Sequence, residues 1–547
     1  MKRAAILVGF LLMATSVYAQ QPVAGGVVNA GSYAFAGLPN AAIAQGSLFV
    51  LFGTNMGPAT LQGAPSFPLQ TVLAGTSINV TVSGTTTQAI MIYTSANQVA
   101  AVLPSRTPIG TGTLTVTFNG QTSATLPIQA VQSNFGAFTL NQGGSGAAVI
   151  LDGNFQAITA LHPASPNQVV ALWGTGLGPI TGDETQPPPG GDMVSNPVQV
   201  YVGTAKATIS YRGRAPGFAG VDQINFAVPP GQLGCNVSVA VQIGTLVSNF
   251  TTMAVAASGS ACSDANGISA NTLQQLSSKG NVAFGSVTLN RNTQTLTLPP
   301  PLPSTTTVSE SGGASFARYN LNAFLQSVGS FSSVSVGGCS VTTFRGSSAL
   351  GALGTFTGLD AGAAITVNGP NGSKQMTKST QIAGTYSATF SGTGQPPYLG
   401  AGSYTISGPG GADVGAFQAS LTAGASLNWT NQSSITTVNR SQDLNITWTG
   451  GGTGLVTING DSVSGTGNAA IGGVFICSAP ATAGQFTVPA AVLLALPVSS
   501  TQSVGGVSIP SGFLFVGSST TSSFTASGID QGFASYTDST GKLVGFQ

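Results

Sequence analysis

The residues of this chain that could do chemistry are few, and the densest group of them is acidic. Asp183, Glu184 and Asp192 lie in one proline-containing stretch. Carboxylates this close in sequence could bind Ca²⁺, although their spacing does not match an EF-hand loop. A glycosidase needs two carboxyl groups on opposite sides of a sugar, one of them with a raised pKa. Neighbours in one loop do not provide this, so calcium binding is the hypothesis that we keep for the three residues.

The single histidine, His162, is the other candidate for catalysis. Asp152 and Ser165 are near it in the sequence. A hydrolase triad needs a nucleophile held against an oriented histidine, and the chain contains no GxSxG elbow. Its four cysteines form no CxxC pair, which disfavours a zinc site. We therefore predict a protein that is not an enzyme and has no catalytic residue and no cofactor.

Charge excludes a further class of function. The 547 residues include 14 basic and 13 acidic side chains, and 42% of the residues are hydrophobic. A nucleic-acid-binding surface needs a basic stripe that neutralises phosphates, and none is present in the sequence. Disorder is also disfavoured, because the chain has no long charged tract. The composition is that of a folded protein whose partners do not include nucleic acid.

The first 19 residues have the pattern of a secretory signal peptide. Lys2 and Arg3 precede an apolar stretch, and Val17 and Ala19 supply the small residues before a cut at Gln20. No later run approaches the roughly 20 apolar residues that a membrane helix needs. The most apolar stretch, residues 488–498, carries two prolines and is predicted as a buried strand with turns. We expect a protein without a transmembrane span, secreted to the periplasm, the cell surface or the medium.

The cysteines are predicted to form disulfides, since an even number in an exported chain favours pairing. Three pairings are possible. We favour Cys235–Cys262 together with Cys339–Cys477, because each bridge then stays on one side of a boundary expected near residue 264.

The elements that must position all these residues are predicted to be β-strands. Gly occurs 76 times, and residues 114–118 and 237–243 alternate between apolar and polar. Asn119-Gly120 forms a hairpin turn signal, and residues 123–131 return. Asn459-Gly460 is expected to end the strand at 455–458. One short helix is predicted at 269–278, capped by Ser269. The fold class is all-β, with tandem Ig-like antiparallel β-sandwich domains.

An internal repeat divides the first half of the chain. FGTNMGP at residues 52–58 returns as WGTGLGP at 173–179, and QV…LP at 98–104 returns as QI…VP at 223–229. The repeat length of roughly 120 residues suits one sandwich each. The predicted organisation is a signal peptide at 1–19, sandwiches at 21–135 and 136–258, a connecting segment or edge strands at 259–340, a β domain at 341–425 and a β-sandwich at 426–547.

The repeated pattern resembles the Solibacter-type C-terminal domain family, which is Ig-like, similar to IPT/TIG domains and found in secreted acidobacterial proteins. NAGSY at 29–33, Gly46, FGTNMG at 52–57 and QINFAVP at 223–229 carry the resemblance, which covers residues 26–258. The first copy has Gln98-Val99-Ala100 where the family has Gln-Ile-Asn, and the second copy lacks the Asn-Ala opening. The resemblance implies an Ig-like fold and export, with no activity or site residues.

These observations favour an extracellular structural, spacer or adhesion protein. The alternative is an array of carbohydrate-binding modules, and a secreted hydrolase is the third hypothesis. For glycan binding the candidates are Trp429, Gln223 and Asn225, because aromatic faces stack on sugar rings and amides bond to hydroxyls. In strands, however, a tryptophan is usually core and amides usually bond to backbone. Neutral glycans, other cell-surface proteins and further copies of the chain are the expected partners.

Overall fold

The computed structural model describes residues 21–264, 267–296, 304–327, 334–346, 348–349, 356–392, 394–504 and 506–547. Over these ranges the chain is all-β, with Ig-like sandwiches of mainly antiparallel strands. The predicted signal peptide lies outside the described residues. Within them, no helix combines the length and the apolar character needed to cross a membrane.

The first sandwich encloses one apolar core between two sheets. Its strands are β1 (Val23–Asn29), β2 (Ile43–Ala44), β3 (Leu48–Thr54), β4 (Gln62–Gly63), β5 (Val72–Leu73), β6 (Thr76–Val82), β7 (Thr85–Gln88), β8 (Ile90–Thr94), β9 (Gln98–Val102), β10 (Gly110–Phe118), β11 (Gln121–Thr122) and β12 (Leu126–Val131). The sheets have the orders β1-β3-β9-β8-β4 and β2-β12-β10-β6-β5. Because alternate residues of a strand face one side, Phe49, Ile78 and Val116 are buried between the sheets.

The second sandwich repeats this arrangement. Its strands are β13 (Gly136–Ala137), β14 (Ile150–Leu151), β15 (Val169–Thr175), β16 (Val198–Val202), β17 (Ala205–Lys206), β18 (Thr208–Arg214), β19 (Asp222–Ala227), β20 (Gly234–Ile243), β21 (Leu246–Val247) and β22 (Thr251–Val255). One sheet has the order β13-β15-β19-β18 and the other β17-β16-β20-β21. Leu172, Phe226 and Val239 are buried in its core.

The rest of the chain forms further strands and short helices. The strands are β23 (Asn281–Leu296), β24 (Thr305–Asn320), β25 (Cys339–Arg345), β26 (Ser348–Ala349), β27 (Phe356–Gly358), β28 (Ala364–Gly369), β29 (Gly372–Lys378), β30 (Thr385–Ser391), β31 (Gly402–Gly408), β32 (Phe417–Ala423), β33 (Asn428–Trp429), β34 (Thr437–Val438), β35 (Leu444–Thr449), β36 (Leu455–Ser464), β37 (Ile471–Pro480), β38 (Gln485–Val488), β39 (Thr501–Val504), β40 (Val507–Pro510), β41 (Gly512–Phe524), β42 (Gln531–Leu543) and β43 (Gly545–Phe546). The helices are α1 (Ala270–Ser277), α2 (Leu321–Ser327) and α3 (Ala490–Leu494), with 3₁₀ turns at Gln432–Ser434, Gly467–Ala469 and Ala481–Ala483.

One large sheet organises this part of the chain. It has the order β26-β25-β37-β36-β41-β42-β23-β24-β30-β29-β28-β31-β32, with β27 beside β24. Its inner face packs on two apolar cores, one around Phe475 and one around Phe316. On its outer face Asn290, Thr537 and Ser519 lie directly across from one another on adjacent strands. One side of the sheet is therefore apolar, and this part of the other side carries uncharged polar side chains.

The structure corrects the prediction for residues 259–340. Strands β23 and β24 pair with each other, and each has another partner, β42 and β30 respectively. They are therefore interior strands, neither a connection nor edge strands, and the β23–β42 pairing is parallel. The same sheet contains strands from both sides of residue 425. Division of the chain into domains at the expected boundaries stays a prediction.

Glycines in the large sheet make room for aromatic rings. In six cross-strand pairs a glycine lies opposite a phenylalanine, and a Cβ on the glycine would come within 2.0 to 2.8 Å of the ring. These pairs are Gly285–Phe316, Gly408–Phe417, Gly460–Phe475, Gly472–Phe344, Gly532–Phe524 and Gly541–Phe515. Glycine in a strand interior marks such a close approach. Part of the high glycine content is thus a packing requirement.

Several local predictions are confirmed and two are wrong. Asn119-Gly120 turns between β10 and β11 with both residues at positive φ, and the Ser269 side chain caps α1 by accepting a hydrogen bond from the Thr272 amide. Asn459-Gly460, predicted to end a strand, lies inside β36, because the Phe475 ring covers Gly460. Residues 488–498, predicted as a buried strand, contain helix α3.

The favoured disulfide pairing is confirmed. Cys235 bonds to Cys262, and Cys339 bonds to Cys477 on the adjacent strand. The first bridge ties the connection before α1 to the second sandwich, and the second bridge links β25 to β37 inside the large sheet. Both are typical of a chain that folds in an oxidising compartment.

Candidate functional site

The three acidic residues proposed for calcium do not share a site. Each carboxylate is bonded elsewhere: Asp183 to the amide and hydroxyl of Thr185, Glu184 to the amide and hydroxyl of Ser105, and Asp192 to Arg212. Hydrogen bonds from Thr185 lower the pKa of Asp183. Over the part of the chain that the structure describes, no group of three His, Cys, Asp or Glu residues could hold a metal ion.

His162 lies within hydrogen-bond distance of the carboxylate of Asp152. Its Nε2 lies 3.0 Å from Asp152 Oδ2. The other oxygen of Asp152 accepts from the amides of Asn154 and Gln156. These bonds, with the Gln156 amide contributing most, lower the pKa of Asp152. The imidazole is 44% exposed, and among the described residues no hydroxyl or thiol bonds to it. The pair closes a turn and lacks the nucleophile of a triad.

Trp429 offers no exposed ring. It is 5% exposed, packs in the core with Trp448, and donates its indole N–H to Asn431 Oδ1 at 2.9 Å. A buried tryptophan with a satisfied N–H is a core residue. Trp429, one of the candidates for glycan binding, therefore presents no ring face at the surface.

Gln223 and Asn225 lie beside two aromatic residues that the sequence analysis did not select. Both amides face away from the core on β19, and Gln223 Nε2 donates to Asn225 Oδ1 at 2.7 Å. Trp173 is the cross-strand neighbour of Gln223, and its ring meets Phe218 edge-on at 5.5 Å. Phe218 is 54% exposed. We name these four residues the aromatic–amide patch; the aromatic position of the WGTGLG motif was the signal for Trp173.

The motifs that carried the family resemblance hold the two sandwiches together. Asn29 Nδ2 donates to the carbonyl oxygens of Asn134, at 3.2 Å, and Thr175, at 3.4 Å. Thr175 Oγ1 accepts from the Leu48 amide at 2.8 Å and donates to the Gly220 carbonyl at 2.6 Å. Asn29 and Thr175 are fully buried. We call this region the module junction.

Two further contacts belong to the module junction, one between backbones and one through a carboxylate. A Cβ on Gly31 would lie 2.2 Å from the Gly136 carbonyl oxygen, so the two backbones touch. Glu184 bonds to Ser105 with both oxygens at 2.7 Å. Glu184, proposed as a calcium ligand, thus binds the first sandwich to the loop of the second.

A buried ion pair supports the second sandwich at this junction. Arg214 Nη1 donates to Asp222 Oδ1 at 2.6 Å, and both side chains are at most 3% exposed. Asp222 Oδ2 accepts from the amides of Gly176 and Leu177, each at 2.7 Å, and Arg214 Nη2 donates to the Gly178 carbonyl. Every group that the pair buries gains a partner except Arg214 Nε. Such a pair fixes the turn on which Thr175 sits. Sequence reasoning did not find it, since the two residues are unremarkable in the alternating pattern.

No family model matches the chain, and no curated protein sequence matches it. Among solved structures, domains 5–6 of the S-layer protein SbsC align with 44% of this chain and 100% of that chain, at 15% identity and a TM-score of 0.16. The glucan-utilization protein SGBP-B of Bacteroides ovatus, solved with a mixed-linkage heptasaccharide, covers 81% and 83% at 11% identity and a TM-score of 0.13.

An ectodomain fragment of ICAM-5 covers 86% of this chain and 94% of that chain at 11% identity, with a TM-score of 0.12. TM-scores this low carry no argument about function. Membership of the Solibacter-type family stays a prediction.

Proposed function

We propose that this is an exported, non-catalytic protein whose β modules act as a rigid structural or adhesive unit at the cell surface. The observation that carries the proposal is the module junction. Domains of one chain are expected to move relative to one another unless their interface holds them in place. Here the side-chain amide of Asn29 and the backbone N–H of Leu48, both in the first sandwich, donate to the carbonyl oxygen and the hydroxyl of Thr175 in the second. Separation of the sandwiches would leave these groups unpaired, which is costly.

The chemistry of the charged groups supports the same proposal. Asp222, Glu184 and Asp152 each bond to backbone amides near turns. A general acid or nucleophile must instead meet substrate in a cleft. The two disulfides fit an oxidising location outside the cytoplasm.

Small-angle X-ray scattering on the exported chain tests the rigidity. We expect one narrow distribution of particle dimensions that matches the structure. The double variant Asn29→Ala with Thr175→Val removes the side-chain groups that make these bonds and should broaden it. Thr54→Val, a matched change at the exposed equivalent threonine, should not. A wild-type ensemble of separated sandwiches would overturn the rigid unit. Turnover in a panel of hydrolase substrates that disappears in Glu184→Ala would overturn its non-catalytic character.

Labelling of intact producing cells with antibody tests the location. We expect labelling before permeabilisation. Labelling that requires permeabilisation would place the protein inside the cell envelope and remove the surface role.

The aromatic–amide patch favours a second function, binding of neutral glycans. Phe218 and Trp173 present apolar ring area beside the amides of Gln223 and Asn225, and such a combination suits sugar rings with hydroxyl rims. Pull-down on insoluble polysaccharides should retain the wild-type protein and lose Phe218→Ala. Phe155→Ala, at an exposed phenylalanine elsewhere, is the control. Equal retention of both variants would exclude the patch.

A further inference from the structure

A pocket lies between the second sandwich and the outer face of the large sheet. Its volume is about 470 Å³, within the range of small-molecule sites. Residues 158–161 and 252–254 of the second sandwich form one wall. Strands β23 and β24 and helix α2 form the other, and Leu273 of helix α1 lies at the margin.

The wall on the sheet side is aromatic. Phe284 and Phe324 stack with ring centroids 4.6 Å apart and planes at 27°, and Tyr319 lies 5.3 Å from Phe324. Phe533 lines the same wall. Opposite them are Ile158, Leu161 and other aliphatic side chains. The surface offered to a ligand is therefore mostly apolar, with ring faces on one side.

Uncharged polar groups are spaced around this apolar surface. Ser286, Ser315, Asn322 and Gln326 line the pocket, and their side chains make no hydrogen bond to the described residues. Asp264, in contrast, is already bonded to the amide of Cys235, the side chain of Asn236 and the hydroxyl of Ser335. Among the described residues that line the pocket there is no Lys, Arg or His. An anionic ligand would find no counter-charge and would lose hydration on entry.

We propose that this pocket binds a neutral small molecule with an apolar, ring-containing body and one or more hydroxyl, carbonyl or N–H groups. The aromatic wall takes the ring system, and the free hydroxyls and amides take the polar groups. This site goes beyond the structural function, and neither depends on the other. A pocket of this kind, with a few convergent polar groups in an apolar lining, is the usual form of a small-molecule site.

Fluorescence titration with a matched pair of dyes tests the ligand class. N-phenyl-1-naphthylamine is neutral, and 8-anilinonaphthalene-1-sulfonate has the same rings with an added anionic group. We expect saturable binding of the neutral dye by the full chain. The affinity for the sulfonate should be lower by a factor of about ten or more, because no cationic side chain in the lining neutralises it. Equal affinity for the two dyes would overturn the assignment to a neutral ligand.

Two variants test the location. Ser286 is exposed at the pocket, and Asn290 is exposed four residues further along the same face of β23. Ser286→Trp should fill the pocket and weaken binding of the neutral dye about tenfold. Asn290→Trp adds the same ring outside the pocket and should leave the affinity unchanged. Asn322→Trp, on α2, provides a second blocking variant, and thermal unfolding confirms that each folds. Equal binding by both blocking variants and wild type, or no saturable binding by wild type, would overturn the proposal.

Discussion

The two Gly-Thr turns agree at several backbone positions but have different surroundings. Asn55 in the first copy and Gly176 in the second occupy the same position, and both have positive φ. The residues that follow them, Met56 and Leu177, are both fully buried. Yet Thr54 is exposed, whereas its counterpart Thr175 is completely buried at the module junction. The first turn therefore leaves its threonine at the surface, whereas the second places its threonine in the interface between the two sandwiches.

The hydrogen bonds that hold each turn differ accordingly. In the first copy the Gly53 and Met56 amides donate to the backbone carbonyl groups of Asn97 and Ala96. In the second the turn amides donate to the carboxylate of Asp222, which Arg214 neutralises. The first copy, which the Thr76 hydroxyl also supports by donating to the Met56 carbonyl, shows that the turn forms without a carboxylate acceptor. The ion pair is an addition that stabilises a turn carrying a buried interface.

The largest effect is expected from breaking the ion pair. Asp222→Ala leaves Arg214 buried without its counter-charge and removes the acceptor for two amides. The loss in free energy of unfolding should be about 3–5 kcal/mol. Asn97→Ala, at the equivalent exposed position of the first copy, should change it by less than about 0.5 kcal/mol. Denaturant midpoints of both variants measure this, and similar values would show that the two turns are held in the same way.

A smaller effect is expected from the threonine hydroxyls. Thr175→Val keeps the shape of the side chain but removes both hydrogen bonds to Leu48 and Gly220. Leaving these partners unsatisfied should cost about 1–3 kcal/mol. Thr54→Val removes a hydroxyl at the surface and should be nearly neutral. The difference in melting temperature between the variants measures what the interface adds, and a loss from Thr54→Val as large as from Thr175→Val would contradict the comparison.

Local sequence patterns predicted the parts of the fold that local contacts decide. The turn at Asn119-Gly120 and the cap at Ser269 depend on residues within a few positions. The disulfide pairing followed from expected domain limits and chain separation. For the turn and the cap the physical cause lies in the segment itself, whereas the disulfides join residues 27 and 138 positions apart.

Other features depend on residues far apart in the chain, and sequence reasoning missed them. Asn459-Gly460 reads as a turn until Phe475 is known to lie over Gly460. Strand β23 lies beside β42, some 250 residues later. At the candidate sites, Gln223 and Asn225 were selected, but Trp173 and Phe218 joined them only through the fold. A glycine in the sequence does not by itself indicate whether it forms a turn or leaves space for an aromatic ring of the neighbouring strand.

A second carboxylate, that of Asp461, shows what happens when burial has no compensation. Asp461 lies on β36 between Val474 of β37 and Phe513 of β41. Unlike Asp222, it has no hydrogen bond or ion pair with any described residue. Burial raises its pKa to about 6, since desolvation disfavours the charged form. Burial also raises the pKa of Asp222, but there Arg214 and the amides of Leu177 and Gly176 oppose the shift, whereas no described group opposes it at Asp461.

The smallest expected effect is the change in stability when Asp461 is replaced, and it depends on pH. A pKa above the unfolded value means that the folded state binds the proton more tightly, so stability falls as pH rises from about 4 to about 6. Asp461→Asn removes that loss and should raise the free energy of unfolding by about 1–2 kcal/mol at pH 7.5, because one pKa unit corresponds to about 1.4 kcal/mol. Near pH 4 wild type and variant should be equally stable.

Asp183→Asn is the control. The pKa of this carboxylate is lowered, so its replacement should give no gain in stability at either pH. Urea midpoints at both pH values decide the point, and a gain from Asp461→Asn that is the same at pH 4 would show that its charge is not the cause.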